Sequence, residues 1–474
     1  MSQSDMAPKE GASISEQIAR FASNFDGKSI PPDVRERARL LMLDAIGIAL
    51  ASHGYEFSKR AYAAISELDS GGRSAVVGMG NGMDLRNAVL MNGILIHGLD
   101  FDDTHSRGVI HATASILPTV LAVAAKQKRS GEDMVSAYVL GMEIATRLGA
   151  VALGGFHQVG FHPTGLIGAF GCTVAAGWLL GLDARQYVDG QGLALSMGAG
   201  SLEFLNDGAW NKRMHPGWAG VSGITAATLG RHGYTGTRFA YEGRFGLFES
   251  HLGQGSSYDI GLATKDLGSV WETSNVSVKP LPACHFTHAS IDAAIRLHAQ
   301  GLRPEHIKRV RVLVAQEVVK TVCEPQDAKR RPANSYEAQF SIPYLVGTAL
   351  ARGQLTLDHI EADALSDPQV LEIAARTDYE LDPQSGFPKY YSGEVIVELT
   401  DGRVIREREA VNRGSVDRPL TADDIIAKYR QNAVRQIDRA QAGRIEEFIL
   451  DMEAHSAQEI EAVLGEGLLL EQTV

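Results

Sequence analysis

Cysteine is scarce in this chain of 474 residues: Cys172, Cys284 and Cys323 lie far apart and form no Cys-x-x-Cys pair. That excludes a disulfide framework and leads to the expectation of a reducing, cytoplasmic setting. An excess of positive charge is also missing. Lys and Arg number 45 against 57 Asp and Glu, a formal charge of −12, which argues against nucleic acid or an anionic membrane as the general partner. A small anion can still bind a local basic pocket. Residues 1–12 lack the basic-then-apolar pattern of a secretory signal and read as a short disordered tail. No tight ligand pair such as His-Glu-x-x-His signals a metal. Gly78-Met79-Gly80-Asn81-Gly82 has the wrong spacing for a dinucleotide-binding loop and predicts a glycine turn. The stretch from Thr164 to Leu182 carries no charge, but its many small residues, Gly165, Gly168, Gly171 and Gly177 among them, predict a buried core helix rather than a membrane span. No repeat of fixed period is present.

What remains is a long, well-filled globular chain. Two domains are expected at this length, and 44% hydrophobic residues suffice to fill them. From Ser13 the pattern is helical, opening on the capping box Ser13-x-x-Glu16, and Val34, Ala38, Leu41, Ala45 and Ile48 mark one apolar stripe behind Pro31 and Pro32. Further helical stretches are expected at 85–98, 114–127, 133–152, 164–182, 187–204 and 217–232. Near 255–280 the composition shifts to Gly and Ser, and strand signals follow. Ile307–Val314 alternates charged and aliphatic residues, and 393–407 holds two strand-like runs whose Asp401-Gly402 link suits a type I′ turn. Between them 340–350 and 355–373 read as helices. After Pro419 helices resume, at Thr421-x-x-Asp424 and Ser456-x-x-Glu459. The fold class expected is mainly α with a smaller α+β domain: a helical domain over 13–270, an α+β lid over 271–412, and a return to the helical domain over 413–474.

The chemistry concentrates in His97-Gly98-Leu99-Asp100-Phe101-Asp102-Asp103-Thr104-His105, with His111 six residues on. Three carboxylates and three imidazoles within fifteen positions repel or lose solvation unless cations, ligands or shared protons compensate, so their pKa values move toward a useful range. Singly, each such residue can simply cap a helix end; together they point to proton transfer. Three other motifs set a histidine or cations beside proline and glycine: Phe161-His162-Pro163-Thr164-Gly165, Lys212-Arg213-Met214-His215-Pro216-Gly217, and Lys279-Pro280-Leu281-Pro282-Ala283-Cys284-His285. A helix start that tolerates close approach, flanked by Lys212, Arg213 and Lys279, suits a substrate carboxylate.

These residues resemble the MmgE/PrpD family, which includes 2-methylcitrate dehydratase, cis-aconitate decarboxylase and iminodisuccinate epimerase. The match runs nearly the full chain and is carried by Gly98–Thr104, His162-Pro163, Lys212-x-x-His215-x-Gly217, Lys279-x-x-Pro282-x-Cys284 with His288 beyond, and Phe340-Ser-Ile-Pro-Tyr344. The resemblance implies a helical domain built from both termini, an α+β lid, a site between them, and homodimerisation through the helices. It also implies no metal and no organic cofactor. Asp100, Thr104, His111, His162, Lys212, Lys279 and Tyr344 are then expected to face a small polycarboxylate. The expected catalytic set is Asp100, His111, His162 and Lys212, and the expected binding set is Thr104, Arg213, His215, Lys279, Cys284, His285 and Tyr344. In the decarboxylase branch a histidine stands where this chain has Cys284, which directs the reading toward a hydro-lyase of the 2-methylcitrate dehydratase kind. A dicarboxylate epimerase, a cis-aconitate-type decarboxylase and a catalytically silent polycarboxylate-binding protein are the alternatives. The lysines are expected to oppose an enediolate-like anion, with Asp100 orienting His111; the residues alone leave acid and base unassigned.

Overall fold

The computed structural model describes residues 11–253, 255–387 and 389–468; the expected tail lies outside the described residues up to position 10. The helix Ile14–Ser23 begins at the Ser13 capping box, with both reciprocal hydrogen bonds made. Pro32 opens the helix Pro32–Ser52, whose inward face includes Val34, Ala38, Leu41, Ala45 and Ile48. The charge-poor run forms the helix Pro163–Leu180, buried along nearly its whole length and enclosed by Ala112–Lys126, Gly131–Val151 and Asn211–Arg231. It and Gly131–Val151 are long and apolar enough to cross a membrane, but both sit inside this core.

Small residues set how closely these helices approach. A Cβ on Gly93 would fall 2.3 Å from the Cα of Gly217, and one on Gly217 would fall 2.3 Å from the carbonyl oxygen of Leu90. The backbones of Leu85–His97 and Asn211–Arg231 therefore touch, which brings His97 alongside Lys212 and His215.

All four strands of the main sheet fall between 307 and 409. Ile307–Val314 lies between Thr377–Leu381, parallel to it, and Gly393–Leu399, antiparallel, with Val404–Glu409 at the far edge. The helices His288–Ala299 and Ile342–Arg352 pack together beside this sheet. The chain then returns to the helical body: Ala422–Ala433 packs on Pro32–Ser52. The architecture is mainly α with a smaller α+β part.

Three local expectations are corrected. At Asp401-Gly402 only Gly402 has positive φ (+88°), whereas a type I′ turn needs it at both positions; the connection is a longer loop with glycine in the left-handed position. The helix expected over 187–204 ends at Ala194, before Gly198 and Gly200. The one expected over 355–373 splits into two 3₁₀ turns and a helix from Pro368, because Asp367 caps a fresh start there. The loop around Gly78 is a glycine turn, as expected, with Gly78 at φ +75°.

Candidate active site

The acidic run lies at the end of the helix Leu85–His97. Asp100 adopts a left-handed backbone (φ +50°), a conformation that costs a non-glycine residue about 1 kcal/mol or more. Its carboxylate accepts from Lys212 Nζ at 2.7 Å and from Lys279 Nζ at 3.1 Å, and Lys279 also donates to the Asp100 carbonyl at 2.7 Å. Lys212 comes from the first turn of Asn211–Arg231. Lys279 arrives because Thr104–His105 pairs antiparallel with Val276–Ser277. One carboxylate thus holds two ammonium groups from segments far apart in sequence.

Four imidazoles surround this point. His97 Nδ1 meets Asp102 Oδ2 at 2.8 Å. His111, just before the helix Ala112–Lys126, donates from Nδ1 to the Asp103 carbonyl at 2.8 Å, with Thr104 Oγ1 at 3.3 Å. His162 precedes Pro163 at the start of its helix, and its Nδ1 lies 3.0 Å from His215 Nδ1. The His97 ring centroid is 4.8 Å from that of His111 and 5.5 Å from that of His162. The loop leading to His111 is braced from below. His105 Nδ1 accepts from Gly108 N, leaving Nε2 to donate to Glu272 at 3.0 Å, and Glu143 accepts from the backbone N–H groups of Glu272 and Thr273.

Burial opposes ionisation of Asp100, but Lys212 and Lys279 outweigh it and hold its carboxyl well below the usual range. For Asp102 burial is likewise outweighed, here by His97 and His111, and the pKa falls to about 2. Asp102 stability is therefore present above the ordinary carboxylate range and is lost as pH falls toward 2. For Asp103 burial, helped by the charges of Asp102 and Asp44, outweighs the hydrogen bond from Thr113 and the charge of Arg37 and raises its pKa to about 7. Burial lowers His111 to about 3 and His215 to about 4, and depresses His162 strongly. These rings are neutral near pH 7 until an anion joins them. An anion bound beside these rings would raise their pKa values.

Asp103 gives a pH test with a definite sign. Its folded-state pKa lies above its ordinary value, so its proton is held more tightly in the fold, and its contribution to stability declines as pH rises from about 4 through 7. Asp103→Asn is expected to raise Tm relative to wild type at pH 8 and to leave it nearly unchanged at pH 4; equal shifts at both pH values in thermal melts would contradict this.

From the α+β part, Gln339 Nε2 donates to the Leu99 carbonyl at 2.5 Å, and the Phe340 ring lies 5.7 Å from Lys212 Nζ. Arg213 donates through Nε to the Gly98 carbonyl at 2.8 Å, and its guanidinium is boxed by Phe57, Trp210 and Tyr336 at 4.5, 5.7 and 5.3 Å. Cys284 is buried, and burial pushes its thiol up to about 11, leaving it uncharged.

The structure redraws several assignments made from sequence. Asp100 does not orient His111, because two lysines already occupy its carboxylate; the carboxylate paired with an imidazole is Asp102, on His97. Lys279, expected to bind substrate, is buried, 2% exposed. The Tyr344 hydroxyl is shared between the carbonyls of His359 and Ala364, at 2.9 and 3.1 Å, and is spent on the fold. His285 Nε2 accepts from Asn412 Nδ2 at 2.9 Å, which turns that nitrogen to the α+β side. Sequence reasoning gave no role to His97 and Asp102, though both lie in the run it singled out. It also passed over Tyr336, whose buried hydroxyl has no partner among the described residues and whose ionisation is suppressed by burial and by the charge of Asp100. The helical spacing from Phe340 back to Tyr336 was the available signal. Tyr344→Phe is expected to lower stability by about 1 kcal/mol with kcat/KM intact. Tyr336→Phe is expected to spare Tm and to lower kcat/KM about tenfold. Melting curves and kinetics on both variants decide, and a reversed pattern would restore Tyr344 to the site.

A helical body and an α+β unit meet over buried lysines, carboxylates and imidazoles. The MmgE/PrpD N-terminal domain matches residues 16–258, and the MmgE/PrpD C-terminal domain matches residues 281–454. The chain belongs to the MmgE/PrpD family. Among curated relatives, the cis-aconitate decarboxylase-like protein oryM of Aspergillus oryzae is 27% identical over 472 residues, covering 96% of this chain and 97% of its own. The cis-aconitate decarboxylase of Aspergillus terreus is 27% identical over 93% of both chains. That of Mus musculus is 26% identical over 90% of this chain and 88% of its own.

Proposed function

We propose that this protein is a lyase acting on a small tricarboxylate with its own side chains. The observation that carries the reading is Asp100 clamped between Lys212 and Lys279 beside His97, His111 and His162. Breaking a bond next to a carboxylate leaves an electron pair that spreads into an enediolate-like anion. Fixed ammonium groups stabilise that anion without reorganising. An imidazole then returns a proton to carbon or passes one to a departing hydroxyl.

Full-length likeness to cis-aconitate decarboxylases supports loss of carbon dioxide from a cis-aconitate-like acid: the carbon–carbon bond breaks, the pair stays as an allylic anion, and an imidazolium protonates it. The neutral thiol of Cys284 supports the second reading, elimination of water from a 2-methylcitrate-like hydroxy acid, because the histidine expected of a decarboxylase is not at that position. Ultraviolet absorbance with product analysis separates them: decarboxylation releases carbon dioxide, whereas dehydration creates a conjugated alkene without it. An unchanged set of tricarboxylates would overturn both.

The same reading includes a homodimer through the helical domain. Trp210, Met214 and Trp218 are exposed by 43–45% on one face of the helical segment that carries Lys212, and light scattering reports the mass. Dialysis against a chelator is expected to leave activity undiminished; activity lost and then restored by zinc, iron or magnesium would assign the imidazoles to a required metal instead.

A further inference from the structure

His97, His111 and His162 come from a helix end, a loop end and a helix start, yet one ring nitrogen of each lies within 4.8 Å of the others. In each ring Nδ1 is committed: to Asp102 Oδ2 for His97, to the Asp103 carbonyl for His111, and to His215 Nδ1 for His162. The three Nε2 atoms remain, and that of His97 is buried without a partner among the described residues. The geometry points to a divalent transition-metal site on these three histidines, of the class that binds zinc, whose occupancy inhibits the enzyme. The inhibitory half rests on the functional reading above; the binding half does not.

Three imidazoles with a fourth position left to water or a substrate carboxylate make a donor set of the right kind for zinc. A carboxylate holding the distal nitrogen of a ligating histidine, as Asp102 holds His97, is the outer shell such ions favour, since it fixes the ring and raises its basicity. The His162–His215 contact needs one ring to donate and the other to accept. A metal on His162 Nε2 settles this, leaving the proton on His162 Nδ1 to be donated to His215. Tetrahedral ligation at Zn–N distances of about 2.0 Å sets nitrogen atoms roughly 3.3 Å apart, so the rings need to draw inward by about an ångström or a little more. Lys212 and Lys279 do not forbid the ion, because Asp100 already accepts from both. An ion here takes up the lone pairs that proton transfer requires, which is why it blocks turnover.

The test is cobalt(II) titration of the chelator-treated full-length protein, followed by visible absorption. The expected result is tetrahedral-type cobalt bands that saturate at one ion per chain, disappear on adding zinc, and are lost in His97→Gln, His111→Gln and His162→Gln but kept in the exposed-surface variant His232→Gln. Circular dichroism checks each fold, and His111, the most exposed of the three, gives the variant most tolerant of substitution. Turnover is expected to fall as the bands grow and to return with chelator. No bands, or bands that survive in folded His111→Gln, would overturn the site. Bands with undiminished turnover would overturn its inhibitory role. Failure of the lyase reading would instead show as intact cobalt bands in a protein that turns over no tricarboxylate.

Discussion

Lys279→Met is expected to lower kcat/KM by about a thousandfold, the upper end of what removing one preorganised donor to a developing anion costs. It is also expected to destabilise the fold by about 2 kcal/mol. Lys279 is buried, and its Nζ supports both the carboxylate and the carbonyl of Asp100. Removing it leaves a buried carboxylate with Lys212 as its one remaining cation partner, so the cost stays below that of orphaning a charge outright. Lys212→Met should match the loss of activity with a smaller change in Tm, because the Lys212 side chain is 13% exposed and Lys279 still neutralises Asp100. Kinetics and thermal melts on the pair separate the two tasks. Wild-type kcat/KM in either variant would remove that lysine from the site, and a large fall in Tm with turnover intact would make it a purely structural ion.

The second large effect is a pattern of coupling. Asp102→Asn and His97→Gln are each expected to lower kcat by about a hundredfold, and the double variant to be hardly worse than the poorer single one. A carboxylate and the imidazole it orients at 2.8 Å form one unit that is lost only once. Asp100→Asn and His111→Gln should instead combine nearly multiplicatively, since Asp100 serves the lysines while His111 is oriented by the Asp103 carbonyl. Additive losses for His97 with Asp102, or strong coupling between Asp100 and His111, would return the assignment to the one made from sequence.

That reversal shows where sequence reading stops. Helices were legible because apolar periodicity and capping boxes act locally: Ser13, Thr421 and Ser456 each start the helix they announce. That the clustered Asp and His would need cations beside them was legible too, and Lys212 and Lys279 do meet Asp100. The pairings were not. Which carboxylate meets which base depends on the left-handed turn at Asp100 and on the Thr104–His105 pairing that returns Lys279 from 179 positions away. Tyr344 misled for a related reason. Its place in a recognisable motif says nothing of where a hydroxyl points, and two carbonyls claim it, whereas Tyr336 carries no charge and stands in no motif that the sequence emphasised. Lys428 was equally invisible: it reaches from the C-terminal helices to Asp44 and to the carbonyl of Phe101, bracing the acidic run from behind.

The clamped Asp100 and its neighbouring imidazoles are proposed to move a proton at a carbon of a small tricarboxylate. The most direct test is NMR of cis-aconitate and related tricarboxylates incubated with the full-length protein in heavy water. The expected result is that one of them is converted, with a single solvent deuteron in the product where decarboxylation leaves a carbanion, or loss of a carbon-bound proton where water is eliminated, and that Lys279→Met abolishes the change. Tricarboxylates that bind and shift the melting temperature yet show neither bond cleavage nor exchange with solvent would contradict it.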